Sequence, residues 1–187
     1  METNAYAENR LAGAMTALGD AFDYAANDCA VDPDVFFDRF RASSFCAEFE
    51  RGSPRVVSGM SGVELARAVL RETEGREPAA PSRPAFARSP EFWCGWVLAY
   101  AQWRSGRRFS ELRRAMSCAD IRDLYPVLHE AGPDTFADRT VYAVRRETRN
   151  DAAREGYERL LLDLDEKGLY LSDAIREDIR DGDERLR

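Results

Sequence analysis

The chain has 187 residues, which suits one domain of ordinary size or one domain with a small appendage. Hydrophobic residues make up 44% and aromatic residues 11%, enough for a packed core, and a charged fraction of 33% with mixed sign argues against disorder. A net charge of −7 does not favour non-specific binding to nucleic acid, which depends on neutralising phosphates. The sequence shows neither a signal peptide nor a membrane span, so we expect a cytoplasmic protein.

The first half of the sequence predicts four helices with clear start signals. Apolar residues at spacings of three and four predict a first helix over about 6–27. Asp32-Pro33 is a cap followed by a first-turn proline, and a short helix is expected over 43–50. Ser61 and Glu64 form a predicted capping box for a helix that ends near Gly75. Four prolines in residues 75–90 then forbid regular helix, so this segment is the best linker in the chain.

The most apolar predicted helix follows Ser89-Pro90 and contains three tryptophans. Its apolar residues fall on nearly every side, so we expect the other helices to pack around it. Two shorter helices, one over 111–116 and one from Ser117, lead to Gly132-Pro133. The expected fold is therefore all-α: a multi-helix globular domain over residues 5–132 around a central Trp-rich helix, with a charged helical segment over 133–187.

The C-terminal segment has two possible structures. Residues 140–146 alternate loosely as in a strand, and a helix, a glycine turn at 168–176 and a second helix follow, the order found in ribbon-helix-helix repressors. Two observations argue against that interpretation. The pattern of residues 135–149 fits a helix at least as well as a strand, and residues 140–187 hold 10 basic against 13 acidic residues. An apolar stripe in this segment suits a homodimer or packing within the chain equally well; it comprises Tyr157, Leu160, Leu161 and Leu164.

Charge is unevenly distributed, and this gives the best candidate contact surface. Residues 76–117 hold 8 basic and 3 acidic side chains, whereas 1–75 and 118–187 are each net −6. The basic cluster comprises Arg104, Arg107, Arg108, Arg113 and Arg114, and it follows Trp103 at the end of the tryptophan-rich helix. It suits an acidic partner or a phosphate backbone; the alternative is a solvated helix end. In the acidic tail, Asp178 and Asp181 are further candidate partner-binding residues.

Signals for catalysis and for cofactors are weak. His129, beside Glu130 and near Tyr125 and Asp134, has the residue types of an acid–base pair, but a locally hydrogen-bonded helix-terminal histidine is favoured. The glycine-rich turn 58–62 precedes a helix whose N–H groups suit an anion, although a turn and cap is favoured. The four widely spaced cysteines are expected to be reduced and buried, without a metal. We therefore expect no cofactor and no enzymatic activity.

Four segments carry a family resemblance: LGDAFDYAANDC (18–29), FERGSPRVVSGMSGVELARAVL (49–70), SPEFWCGWVLAYAQWRSGRRFSEL (89–112) and LYPVLHEA (124–131). They resemble a poorly characterised family of small helical proteins of gut Firmicutes and Actinobacteria. Some members look like regulators with a C-terminal helix-turn-helix, and others occur in toxin–antitoxin-like loci. The resemblance covers about residues 15–135, and the helix-turn-helix pattern is missing after Asp138.

The resemblance implies a regulatory or antitoxin-like binding protein. We expect its helical domain over residues 5–132 to hold a partner protein, and its tail to pack, dimerise or contact a second partner. Acidic surface would suit a basic partner, because opposite potentials speed encounter. Two alternatives remain open at this point. One is a phage or mobile-element inhibitor of a host nucleic-acid machine that uses acidic surfaces; the other is a DNA-binding regulator acting through the C-terminal segment.

Overall fold

The computed structural model describes residues 4–82, 88–130 and 132–166, and every regular element in these ranges is helical. After a short 3₁₀ turn at Glu8–Arg10, the α-helices are α1 (Leu11–Asp23), α2 (Pro33–Ala42), α3 (Ser44–Glu50), α4 (Pro54–Val57), α5 (Gly62–Glu74), α6 (Pro90–Ser105), α7 (Phe109–Ala115), α8 (Cys118–Leu128) and α9 (Pro133–Glu166). A π-helical turn, Tyr24–Asp28, prolongs α1. The predicted all-α class is confirmed.

Capping side chains fix the starts of four helices. Asp32 accepts hydrogen bonds from the first-turn N–H groups of α2, and Ser61 with Glu64 forms the predicted capping box of α5. Ser89 caps α6, and Ser117 caps α8 in a second capping box. Each cap satisfies N–H groups that lack partners inside the helix, so these polar residues set where the helices begin.

The core is built from one aromatic cluster and one close helix pair. Phenylalanine rings from α1, α2, α3 and α7 meet at centroid distances of 5.1–6.0 Å, mostly edge to face; they are Phe22, Phe36, Phe37, Phe40, Phe49 and Phe109. The most extensive helix contact joins α1 and α6. Gly95 permits it, because a Cβ there would lie 2.4 Å from the carbonyl oxygen of Leu18. That α6 forms the centre of the whole bundle stays a prediction.

The chain divides into two compact units, Met1–Arg145 and Arg146–Arg187. The boundary between the units falls inside α9, and the domain boundary expected at Gly132-Pro133 stays a prediction. Pro133 opens α9, since proline is well suited to a first helical turn. Within the first unit, Phe136, Ala137, Thr140 and Val144 of α9 are buried.

Residues 140–146 are helical, so the strand required by the ribbon-helix-helix interpretation is not formed and that interpretation is wrong. A short alternation of apolar residues fits the buried face of a helix as well as a strand, and Thr140 and Val144, four apart, share such a face. The predicted glycine turn at 168–176 lies outside the described residues.

Candidate interaction surface

The basic cluster of residues 104–114 spans the end of α6, a short loop and α7. Gly106 ends α6 with φ of +64°, the left-handed conformation typical of a residue that stops a helix. The backbone N–H of Arg108 then donates to Glu111 at 2.9 Å, and that of Phe109 donates to Glu50 Oε1 at 2.7 Å. Two carboxylates therefore hold the loop and the start of α7 in place.

Arg113 joins α7 to α2. Its Nη2 lies 3.2 Å from Asp34 Oδ1 and its Nε 3.2 Å from Asp38 Oδ1, and the side chain is only 23% exposed. Asp34 also accepts from the backbone N–H of Cys118, the first residue of α8, at 2.8 Å. Arg113 is thus part of a network that links three helices. This structural role accounts for the residue, and no contact with a partner protein is needed to explain it.

The other arginines of the cluster differ in pairing and in exposure. Arg107 pairs with Glu111 at 2.8 Å, one turn further along the chain, and Arg104 and Arg114 also interact with other residues of the chain. Arg108 is exposed. Two arginines of the predicted basic cluster, Arg107 and Arg113, therefore pair with carboxylates of the same protein.

Trp103 lies in the core. Its indole is 6% exposed and donates from Nε1 to the carbonyl oxygen of Tyr6 at 2.8 Å, while its own carbonyl oxygen accepts from Ala5. The residue fastens the N-terminal segment to α6 and offers little area to a partner. Asp178 and Asp181, the acidic candidates, lie outside the described residues.

His129 makes local contacts. Its Nδ1 lies 2.8 Å from the carbonyl oxygen of Tyr125, its ring stacks on the Tyr125 ring at 4.7 Å, and its Nε2 is 3.8 Å from Glu130. Asp134 accepts a hydrogen bond from Tyr100 instead. Burial, followed by this hydrogen bond, raises the pKa of Tyr100 to about 12. The local hydrogen bond expected of a helix-terminal histidine is present at His129.

The start of α5 is closed by its own cap. Glu64 accepts from the backbone N–H of Ser61 at 2.8 Å, and Ser61 accepts from the N–H of Glu64 at 3.2 Å. These bonds lower the pKa of Glu64. The N–H groups of Ser61 and Glu64 are thus used within the capping box, and the turn and cap predicted for residues 58–62 are present.

The four cysteines are free thiols, as expected, with Cys46, Cys94 and Cys118 buried and Cys29 half-buried. A hydrogen bond with Cys94, followed by burial, raises the pKa of Cys118. Within residues 4–82, 88–130 and 132–166, no group of three or more His, Cys, Asp or Glu side chains is arranged to hold a metal ion. No helix in these ranges is both long and apolar enough to cross a bilayer.

Sequence reasoning missed a cavity of about 190 Å³ beside the basic cluster. Residues from α2, α3 and α7 line it: Arg41, Ser43, Cys46, Ala47, Glu50, Arg108 and Ser110. Its arginines are 67 positions apart in the chain, so no local motif could have indicated it. A second, open cleft of about 390 Å³ runs along α1 and the 57–62 segment.

Comparison with protein-family models, with curated proteins and with solved structures gave no match to this chain.

Proposed function

We propose that the chain is a non-enzymatic binding protein, antitoxin-like or regulatory, and that it holds a partner protein mainly through α9. The observation that carries this proposal is the length and placement of that helix. It has 34 residues, of which those from Arg146 onward belong to the second compact unit.

A helix of this kind needs an apolar surface to pack on. Most of the stability of a helix in water comes from burying one face, because backbone hydrogen bonds alone leave a short helix marginal. In the first unit that requirement is met, since Phe136 and Val144 are buried. In the second unit, the sequence repeats apolar positions at 157, 160, 161 and 164, which share one helical face by their spacing. A partner protein would provide the matching surface.

Charge indicates what kind of partner suits this helix. Residues 133–166 contain nine acidic and six basic side chains, a formal net charge of −3. Exposed charged residues of α9 include Arg149, Glu155 and Arg159. A basic partner would be attracted over a long range and would bind with complementary charge at the rim of the apolar contact.

The basic cluster of residues 104–114 is less available to a partner than its sequence indicates, and this supports α9 as the main contact. Arg107 and Arg113 pair with carboxylates inside the first unit, and Trp103 is buried. A partner would have to break these pairs to use them, at a cost that grows with their burial. We therefore assign the main contact to α9 and not to residues 104–114.

The test is a pull-down with the tagged full chain from lysate of the native organism, treated with nuclease, at low and at moderate salt. Leu160→Glu is the test variant, and Ala152→Glu is the matched control, because it adds the same charge at an exposed position of the same helix. A stoichiometric protein that survives nuclease, binds the control and is lost with Leu160→Glu supports the proposal.

Two results would contradict it. Nucleic acid that is lost on nuclease treatment or at moderate salt, with no protein partner, would favour direct nucleic-acid binding. Equal loss of the partner from both variants would remove α9 as the specific contact. If the partner is a component of host nucleic-acid machinery, the inhibitor alternative would replace the antitoxin-like one.

A further inference from the structure

The cavity of about 190 Å³ lies where α2 ends, α3 passes and α7 begins. Its lining residues include two arginines, two serines, a cysteine and a glutamate: Arg41, Arg108, Ser43, Ser110, Cys46 and Glu50. By the volume of liquid water, about 30 Å³ per molecule, it has room for roughly six waters. A ligand of only a few non-hydrogen atoms therefore fits.

The charges that line the cavity sum to +1. Arg41 and Arg108 contribute two positive charges and Glu50 contributes one negative charge. Burial, followed by the nearby Glu50, raises the pKa of Cys46 to about 12, so its thiol is neutral at pH 7. Asp38 pairs with Arg41 at 2.8 Å, but it also pairs with Arg113 at 3.2 Å and is not among the lining residues.

Hydrogen-bond donors outnumber the acceptors available to them. Arg41 Nε is buried and has no acceptor among the described residues, although an unpaired buried donor is costly. Arg108 is exposed, and no ion pair of the described residues involves its guanidinium. Glu50, the one carboxylate present, already accepts from Phe109 at 2.7 Å and from the Cys46 thiol at 3.7 Å. The missing component is a group that only accepts.

We infer that this cavity is a binding site for a single carboxylate group held between Arg41 and Arg108. A carboxylate only accepts hydrogen bonds, and its two oxygens match the planar fork of a guanidinium. One negative charge balances the +1 of the lining, whereas a phosphate dianion would leave an excess next to Glu50. The carboxylate can come from a free small acid or from a glutamate side chain of a partner; this assignment does not depend on the role of α9.

The test follows the arginine Nε–H resonances of the ¹⁵N-labelled full chain by NMR at pH 7, during titration with sodium acetate against sodium chloride at equal ionic strength. We expect a saturable shift of the Arg41 Nε–H signal with acetate only. Arg108→Ala is expected to weaken binding at least tenfold, or about 1.4 kcal/mol, since it removes a charge-assisted hydrogen bond to the carboxylate. Arg51→Ala, which removes an exposed arginine outside the cavity, should leave binding unchanged.

Non-saturating shifts, or equal shifts with chloride, in the unmodified chain would overturn the inference, and so would equal weakening by Arg51→Ala and Arg108→Ala. Two further probes distinguish the source of the ligand. Comparable binding of acetate and of N-acetylglutamate amide would show that a partner's side chain can enter, whereas binding of acetate alone would restrict the site to free acids. Tighter binding of inorganic phosphate than of acetate would refute the charge argument.

Discussion

Replacing Gly95 with alanine should destabilise the protein, although alanine is the better helix former. Gly95 lies inside α6 at its contact with α1, and an added Cβ would lie 2.4 Å from the Leu18 carbonyl oxygen and 2.9 Å from Phe22 Cδ2. Ordinary van der Waals contact begins near 3.4 Å, so the two helices would have to separate by about 1 Å. The nearest obstacle is backbone, which cannot rotate away.

Two opposing effects set the size of the change. Glycine to alanine in a helix interior gains about 1 kcal/mol from backbone propensity. Overpacking a close-packed core typically costs about 1–3 kcal/mol and occasionally more, and here it acts on the most extensive helix contact of the protein. Because backbone carbonyl atoms must move, the upper end of that range applies. We expect a net loss of about 1–2 kcal/mol in the free energy of unfolding.

Urea denaturation followed by circular dichroism measures this change, with the midpoint and slope compared between variants. Gly132→Ala is the matched control, because a Cβ there would meet nothing within 4 Å. Its free energy of unfolding should stay within about 0.5 kcal/mol of that of the unmodified chain. A Gly95→Ala variant as stable as the unmodified chain, or more stable, would refute the close α1–α6 approach described here.

Three further changes test other parts of the account. Arg113→Ala should lower the free energy of unfolding by about 1–2 kcal/mol, because Asp34 loses its ion pair and Asp38 keeps only its pair with Arg41; chemical denaturation measures this. Hydrogen bonds from Ser117 lower the pKa of Asp120, so the stability they contribute is present above the ordinary pKa near 4 and is lost as pH falls through the lowered value. Ser117→Ala should therefore raise the carboxyl pKa in an NMR titration. Tyr24→Phe removes a 2.7 Å hydrogen bond to the proline-rich linker and should speed amide exchange there.

Each of these three predictions has a comparison variant or an outcome that would contradict it. Arg51→Ala, at an exposed arginine for which no ion pair is seen in the described part of the chain, should change stability far less than Arg113→Ala. An unshifted Asp120 carboxyl in Ser117→Ala would contradict the capping assignment. For the linker, Arg67→Gln should reproduce the Tyr24→Phe effect, because Arg67 donates to the same carbonyl oxygen of Ala80 at 2.9 Å. Unchanged exchange in both variants would contradict that anchoring.

Local signals predicted the helices well, and the reason is physical. A cap acts over three or four residues, so Asp32-Pro33, Ser61 with Glu64, and Ser89-Pro90 could be identified without the fold. The structure begins α2, α5 and α6 at the expected places. The first predicted helix is also present, but it contains a π-helical turn at Tyr24–Asp28 that no local pattern indicated.

The errors concern interactions between distant residues. Residues 140–146 alternate weakly, and only the packing of Phe136 and Val144 in the first unit identifies them as helix. The pairing of Arg113 with Asp34 and Asp38 joins residues more than 70 positions apart. The sequence alone could not indicate this pairing, and it therefore predicted the basic cluster as a contact surface. The carboxylate cavity depends on the same long-range packing of α2, α3 and α7, which sequence spacing does not encode.

The most direct test of the proposed function is the stoichiometry of the nuclease-treated complex, measured by native mass spectrometry after pull-down with the unmodified chain, Leu160→Glu and Ala152→Glu. The account predicts one protein partner in fixed ratio with the unmodified chain and with Ala152→Glu, and none with Leu160→Glu. A partner retained in the same ratio by Leu160→Glu, or nucleic acid in place of a protein, would contradict the claim that α9 holds a partner protein.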